Sequence, residues 1–170
     1  YDLTGTTTNA NGYFVIGNAD VANVSITFAG NGLQNGADAV ALYKTAAADF
    51  PNGSAITTDN LVDAILYDTN DSDDTELLVL LNANEPQLNE DGKNDKNFHS
   101  LQRFPNGSGG LRNTSTYTQA IPTPGAANTN ATEIAALVIN ELDADTAGSD
   151  ALVFVELYDG GAGNTSLDGN

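Results

Sequence analysis

The stretch ALVINELDADTAGSDALVFVELYD (136–159) decides the reading of this chain. It holds two apolar segments, ALVINEL (136–142) and ALVFVELYD (151–159), joined by a short acidic loop. In the second, Val153, Val155 and Leu157 recur with the period of two that places residues on one face of a strand. Two strands cannot stand alone in water, because a single hairpin buries too little apolar surface. Further strands, of this chain or of a neighbour, must supply the partners, and the rest of the chain has a pattern of the same kind.

Short β-type runs separated by turn chemistry fill residues 1–129. GYFVIGN (12–18) is a brief apolar run bounded by Gly12 and Gly17, and VSITF (24–28) alternates Val24, Ile26 and Phe28 with Ser25 and Thr27. ADAVALY (37–43) places Val40 and Leu42 on one face, and NLVDAILYD (60–68) places Val62, Ala64 and Leu66 together. ELLVLLN (76–82) reads as a fully buried strand, with a buried helical turn as the alternative at this length. Residues 83–116 read as loop apart from a short strand at SLQRF (100–104), and TPGAANTNAT (123–132) reads as the end of a unit with nothing to pack. Helical periodicity with caps is hard to find. The predicted fold is all-β, an Ig-like β-sandwich.

Composition narrows the function. Among 170 residues there are 23 Asp and Glu against 5 Lys and Arg, a net charge of -18. Such a field opposes nucleic acid, which is held by clustered cations, and opposes an anionic membrane surface. It suits divalent cations or a medium that screens self-repulsion. Cys is absent, which removes disulfides and thiolate metal sites. No apolar run reaches the roughly 20 residues of a membrane span. The chain opens at Tyr1 without a visible signal peptide, the expectation for a mature form, a fragment or the ordered part of something longer. Abundant Gly, Asn, Thr, Asp and Ala with scarce Lys is the make-up of bacterial extracellular β proteins.

Asp68, Asn70, Ser72, Asp73 and Asp74 form a dense run of oxygen donors, and the first three alternate as ligands of a Ca2+ loop do. The sixth and twelfth positions of that loop are Asp73 and Val79 rather than Gly and Glu, so it is no EF-hand. The competing reading is a solvated acidic turn. Asn89, Asp91, Asn94 and Asp95 form a second set, diluted by Lys93 and Lys96. Asp143, Asp145, Ser149 and Asp150 form a third. Ca2+ is the one cofactor these sets imply. His99, the single histidine, has no nucleophile motif beside it and reads as a hydrogen-bonded surface residue. Arg103 and Arg112 flank PNGSGG (105–110), which lacks the Lys-Ser/Thr of a phosphate loop; they are expected to pair with acids. Of seven N-x-S/T sequons, Asn106, Asn113 and Asn130 lie in loops and are the best glycan acceptors in a host that N-glycosylates.

The segment LVINELDADTAGSDALVFVELYDGGAGNTSLDG (137–169) resembles the opening of a lamin tail domain of the bacterial secreted type. Ile139, Asn140, Glu141, Phe154, Val155, Glu156, Leu157, Tyr158, Leu167, Asp168 and Gly169 carry the likeness, and Val153 departs where many relatives have an acid. GYFVIGN, LQNGADAVALY, NLVDAILYDTND, SLQRFPNGSGGLRNTSTYT and PTPGAAN are similar to that domain's later strands, in their order. The head therefore stands at the C-terminus. The organisation read from this is later strands over 1–129, a linker over 130–136 and opening strands over 137–170.

Three arrangements fit: a window across a tandem array, a permuted single domain, or strand exchange between subunits. The expected contact residues are Leu137, Ile139, Leu142, Val153, Val155 and Leu157, and the expected partner is the chain itself. The reading is a non-catalytic extracellular or cell-surface module of a fibre, surface layer or array. What the resemblance implies as an alternative is an accessory module of a larger secreted nuclease- or phosphatase-type enzyme.

Overall fold

The computed structural model describes residues 1–30, 32–129, 138–143 and 154–158. Within them the chain is all-β, with nine short strands and two 3-10 turns. Contacts divide it into two compact units, Tyr1–Thr132 and Glu133–Asn170.

The first unit is centred on a three-stranded sheet. β3 (Asp38–Tyr43) runs antiparallel to β4 (Leu61–Asp68), and β4 runs parallel to the two-residue β5 (Leu88–Asn89). Register pairs Ala41 with Ala64 and Ala39 with Leu66, so small residues make room for Leu66, which is fully buried. Leu80 and Leu81 pack against Ala64 and Leu66, and Ala39, Ala41, Leu61, Leu77 and Leu78 surround them. A register shift opposite Leu42 and Tyr43 leaves Val62 unmatched in β4. This bulge explains why Leu61, rather than the expected Val62, joins Ala64 and Leu66 in the core.

The run ELLVLLN buries its leucines as the 3-10 turn Leu77–Leu80, the helical alternative, and not as a strand. Asp74 Oδ1 starts the turn by accepting the N–H groups of Glu76 and Leu77 at 2.9 and 3.3 Å. Leucine has no branch at Cβ and accepts such a turn readily. Val79, the one β-branched residue in it, faces solvent.

The strands expected at 12–18 and 24–28 shorten to β1 (Ile16–Gly17) and β2 (Ile26–Thr27), a parallel pair. β6 (Ser100–Arg103) forms where SLQRF predicts it, antiparallel to β7 (Tyr117–Ala120), which the sequence pattern does not announce. Residues 123–129 are not idle. Asn128 Nδ2 donates to Arg103 O at 2.8 Å, and Asn23 Nδ2 donates to Pro124 O at 2.9 Å. Gly125 has φ +76°, and a Cβ there would lie 2.7 Å from Asn23 Cβ, so glycine lets the tail lie close.

The second unit contains β8 (Val138–Asp143) antiparallel to β9 (Phe154–Tyr158). Register sets Ile139 opposite Leu157 and Leu142 opposite Val155, with a bulge at Asn140 absorbing the odd spacing between them.

Candidate functional site

The acidic corner at the end of β4 is organised by hydrogen bonds within the loop. Asp68 is buried; its Oδ2 accepts Gln87 Nε2 at 2.8 Å and its Oδ1 the Asp71 N–H at 3.2 Å. Gln87 Oε1 in turn accepts the Asp74 N–H at 3.0 Å. Asn70 faces the neighbouring loop, donating to Asp91 Oδ2 at 2.6 Å and accepting from Asn89 Nδ2 at 3.0 Å. That bond holds the Asp91 carboxyl below its ordinary pKa, helped by Lys96 at 3.5 Å. Ser72 and Asp73 stay exposed. Among the described residues no three His, Asp or Glu side chains converge as metal ligands do. The arrangement joins the first acidic set to Asn89 and Asp91 of the second, while Gln87 carries no signal in the sequence beyond being polar. Of the third acidic set, Asp143 ends β8, while Asp145, Ser149 and Asp150 lie outside the described residues.

His99 is not a surface residue. Its side chain is only 8% exposed, and Nδ1 lies against Asp95 Oδ2. The turn that gives Phe98 and His99 N–H bonds to Asp95 O brings the ring back onto that carboxylate as β6 begins. Asp95 Oδ1 also accepts Gln119 Nε2 at 3.0 Å, and Lys93 Nζ donates to Gln119 O at 3.0 Å. The group pins the 91–99 loop to β7. The neighbouring Ser100 hydroxyl points to Ala120 O at 3.5 Å and not to the imidazole.

Asp63 is the centre of a second cluster, one that sequence reasoning does not single out. Its carboxylate takes Arg103 at 3.2 Å and the Arg112 N–H at 2.6 Å. Arg103 thus pairs with an acid as expected, and also stacks 4.8 Å over the Tyr117 ring. Arg112 does not. Its guanidinium donates to the carbonyls of Leu80, Val79 and Leu81 at 2.7, 2.9 and 3.2 Å, closing the 3-10 turn. The expectation of an acid fails because those carbonyls, left open by the end of the turn, are nearer acceptors. The PNGSGG loop turns the carbonyls of Ser108 and Gly110 toward Arg103 Nη1, at 2.8 and 2.7 Å. A loop that aims carbonyls at a cation is the reverse of a phosphate cradle, which aims N–H groups at an anion.

An open groove of about 760 Å³ lies over the other face of β3 and β4. Val40, Leu42 and Ile65 form its floor, with Tyr1, Leu3 and Tyr117 among its walls. Tyr43 and Phe50 stack beside it at 4.4 Å between ring centroids. Lys44 also lines it, and its ammonium makes no ion pair among the described residues. Val40 and Leu42 are each 47% exposed.

On the hairpin, Leu142, Val155 and Leu157 are exposed, as is Phe154. Ile139 is described by its register, and Leu137 and Val153 lie outside the described residues. Among the sequons, Asn106 is exposed, whereas Asn113 donates its amide nitrogen to Glu85; Asn130 is outside the described residues.

Comparison with protein-family models, with curated proteins and with solved structures finds no match to this chain. Its function has to be read from its own residues.

Proposed function

We propose that the chain is a non-catalytic extracellular structural module, a lamin-tail-like Ig-like β-sandwich that associates with further copies of itself by β-strand complementation. One observation carries this reading: β8 and β9 are a two-stranded unit with Leu142, Phe154, Val155 and Leu157 exposed. Such a hairpin is marginal by itself and gains stability only by joining other strands. The net charge of -18 favours a salty external medium for that contact.

Sedimentation of the full chain across a concentration series tests the proposal, with electron microscopy of the concentrated protein. Mass rising with concentration is expected, and Val155→Asp is expected to suppress it. A chain that stays monomeric at every concentration overturns the reading. Ca2+ belongs to the proposal as a ligand of the acidic loops at 68–74 and 143–150, supported by the charge and by the exposed Asn70, Ser72 and Asp73. Thermal melting with and without EDTA checks it: a lower Tm in EDTA is expected, and an unchanged Tm removes the ion.

A further inference from the structure

The pentapeptide FPNGS occurs twice, at residues 50–54 and at residues 104–108. Both copies fold as the same β-turn. The Ser54 N–H donates to Pro51 O and the Ser108 N–H to Pro105 O, each at 3.0 Å. Gly53 and Gly107 follow the asparagines with φ of +86° and +70°, the conformation that favours glycine at the third position of such a turn. Each turn thus carries an Asn-Gly-Ser sequon, and neither the local sequence nor the local backbone separates the two. Their surroundings do.

An N-linked sugar is carried by the side-chain amide nitrogen, so that nitrogen must be unengaged and open to a bulky group. Five sequon asparagines lie among the described residues: Asn23, Asn52, Asn70, Asn106 and Asn113. Four of them spend the nitrogen inside the fold. Asn23 Nδ2 donates to Pro124 O at 2.9 Å, Asn70 Nδ2 to Asp91 Oδ2 at 2.6 Å, Asn106 Nδ2 to Tyr13 Oη at 3.4 Å, and Asn113 Nδ2 to Glu85. These bonds join residues 21 to 101 positions apart, and a sugar on any of the four nitrogens displaces one of them. Asn106 is tied a second time, because its Oδ1 accepts the Asn128 N–H at 3.1 Å. The hydroxyl of its sequon, Ser108 Oγ, is buried.

Asn52 is the exception. It is exposed, and its side chain makes no hydrogen bond among the described residues. Ser54 is exposed too, with its hydroxyl closing the turn onto Pro51 O at 2.7 Å. The turn sits in the connection between β3 and β4. Its base is held by the Tyr43–Phe50 stack and by the bond from Tyr43 Oη to Thr57 O at 2.8 Å, which leaves the tip in solvent.

We infer that Asn52 is a modification site, the acceptor of an N-linked sugar on the folded chain, and that Asn106, in the same pentapeptide, is not. Loop position alone favours Asn106; the bonds of its side chain reverse that order. The substrate is a sugar activated at C1 by a phosphate leaving group. Asn52 Nδ2 forms a bond to C1, the C1–O bond breaks with its electron pair going to the phosphate, and one amide proton passes to solvent. The inference does not depend on self-association. It marks the tip of the connection between β3 and β4 as a surface kept free of contacts.

A soluble N-glycosyltransferase that modifies folded proteins, supplied with UDP-glucose, tests this on the purified full chain, with peptide mapping by mass spectrometry as the readout. A single hexose at Asn52 is expected, in excess over Asn106 by about ten-fold, since the hydrogen bonds of Asn106 must open before its nitrogen reacts. After denaturation the two turns, identical in sequence, should take the sugar to similar extents. Asn52→Gln should remove most of the label from the folded chain, and circular dichroism verifies that this variant folds. Equal labelling of Asn52 and Asn106 in the folded chain overturns selection by the side-chain bonds. A folded chain that carries no sugar at Asn52, or an Asn52→Gln variant labelled as fully as the parent, overturns the site itself.

Discussion

Glu90 is a carboxylate held partly out of water between two groups of loop contacts, and burial pushes its pKa up. The folded chain therefore keeps a proton on Glu90 at pH values where the unfolded chain has lost it. Below the ordinary carboxylate pKa both forms are protonated and the group is neutral to stability. As pH rises through the raised value, the folded state must carry a poorly hydrated charge, and stability falls. Asp91, next in sequence, has the opposite sign: its pKa is lowered by the Asn70 hydrogen bond, so its contribution is present at neutral pH and lost in acid. Glu90→Gln isolates the first effect, because Asp91 contributes equally to both proteins. The variant should melt higher than the parent at pH 7, and the gain should shrink toward zero as pH is lowered to 4. A gain that is constant over this range sinks the assignment of the cost to burial of charge.

At the scale of elements, legibility followed periodicity. The eight residues of β4 could be read because Ala64 and Leu66 recur at period two and are buried. The side of β3 that meets the core could not, since Val40 and Leu42 promise an inward face by their size and the chain turns Ala39 and Ala41 inward instead. β7 is not legible in the sequence because YTQA lacks an apolar alternation; its place is fixed by pairing with β6 and by Gln119. The turn Leu77–Leu80 depends on two distant groups, Asp74 at its start and Arg112 at its end, and a window of seven residues contains neither. The acidic loops are legible as charge, but that oxygens of Asp68, Asn70 and Asp91 are taken by the side-chain amides of Gln87, Asn89 and Asn70 depends on contacts 19 to 21 residues apart. Arg112→Ala tests the turn. Loss of charged hydrogen bonds to its carbonyls should cost about 1.5–3 kcal/mol, lowering Tm by roughly 2–4 °C per kcal/mol in a chain of this size. Lys in place of Arg112 should recover only part of this, since one ammonium does not reproduce the planar fork.

Across the whole molecule, 23 acids repel one another against 5 cations, and most of those cations are already engaged. Arg103 holds Asp63, Lys96 holds Asp91, Lys93 holds a carbonyl and Arg112 holds three. Folding gathers the unmatched carboxylates into a smaller volume, so simple salt should stabilise the chain by screening. The Debye length falls from about 30 Å at 0.01 M salt to about 3 Å at 1 M. Tm should rise monotonically with NaCl over that range, and a falling Tm would mean that ion pairs outweigh net repulsion. Calorimetry in a non-titrating buffer makes the comparison.

The Asp63 cluster ties three pieces that are far apart in the chain: β4 through Asp63 itself, the PNGSGG loop through Arg103, and the leucine turn through Arg112. A loop so glycine-rich would ordinarily open on its own. Here Arg103 Nη1 holds the Ser108 and Gly110 carbonyls while its Nη2 holds Asp63, and Thr116 Oγ1 also donates to Ser108 O. The amide protons of this loop's neighbours, Phe104 and Tyr117, should then exchange with deuterium at rates close to those of β4, as members of one cooperative unit. Surface irregularity and local fragility are then uncoupled: a glycine-rich loop is expected to share the lifetime of the core strand it is bound to.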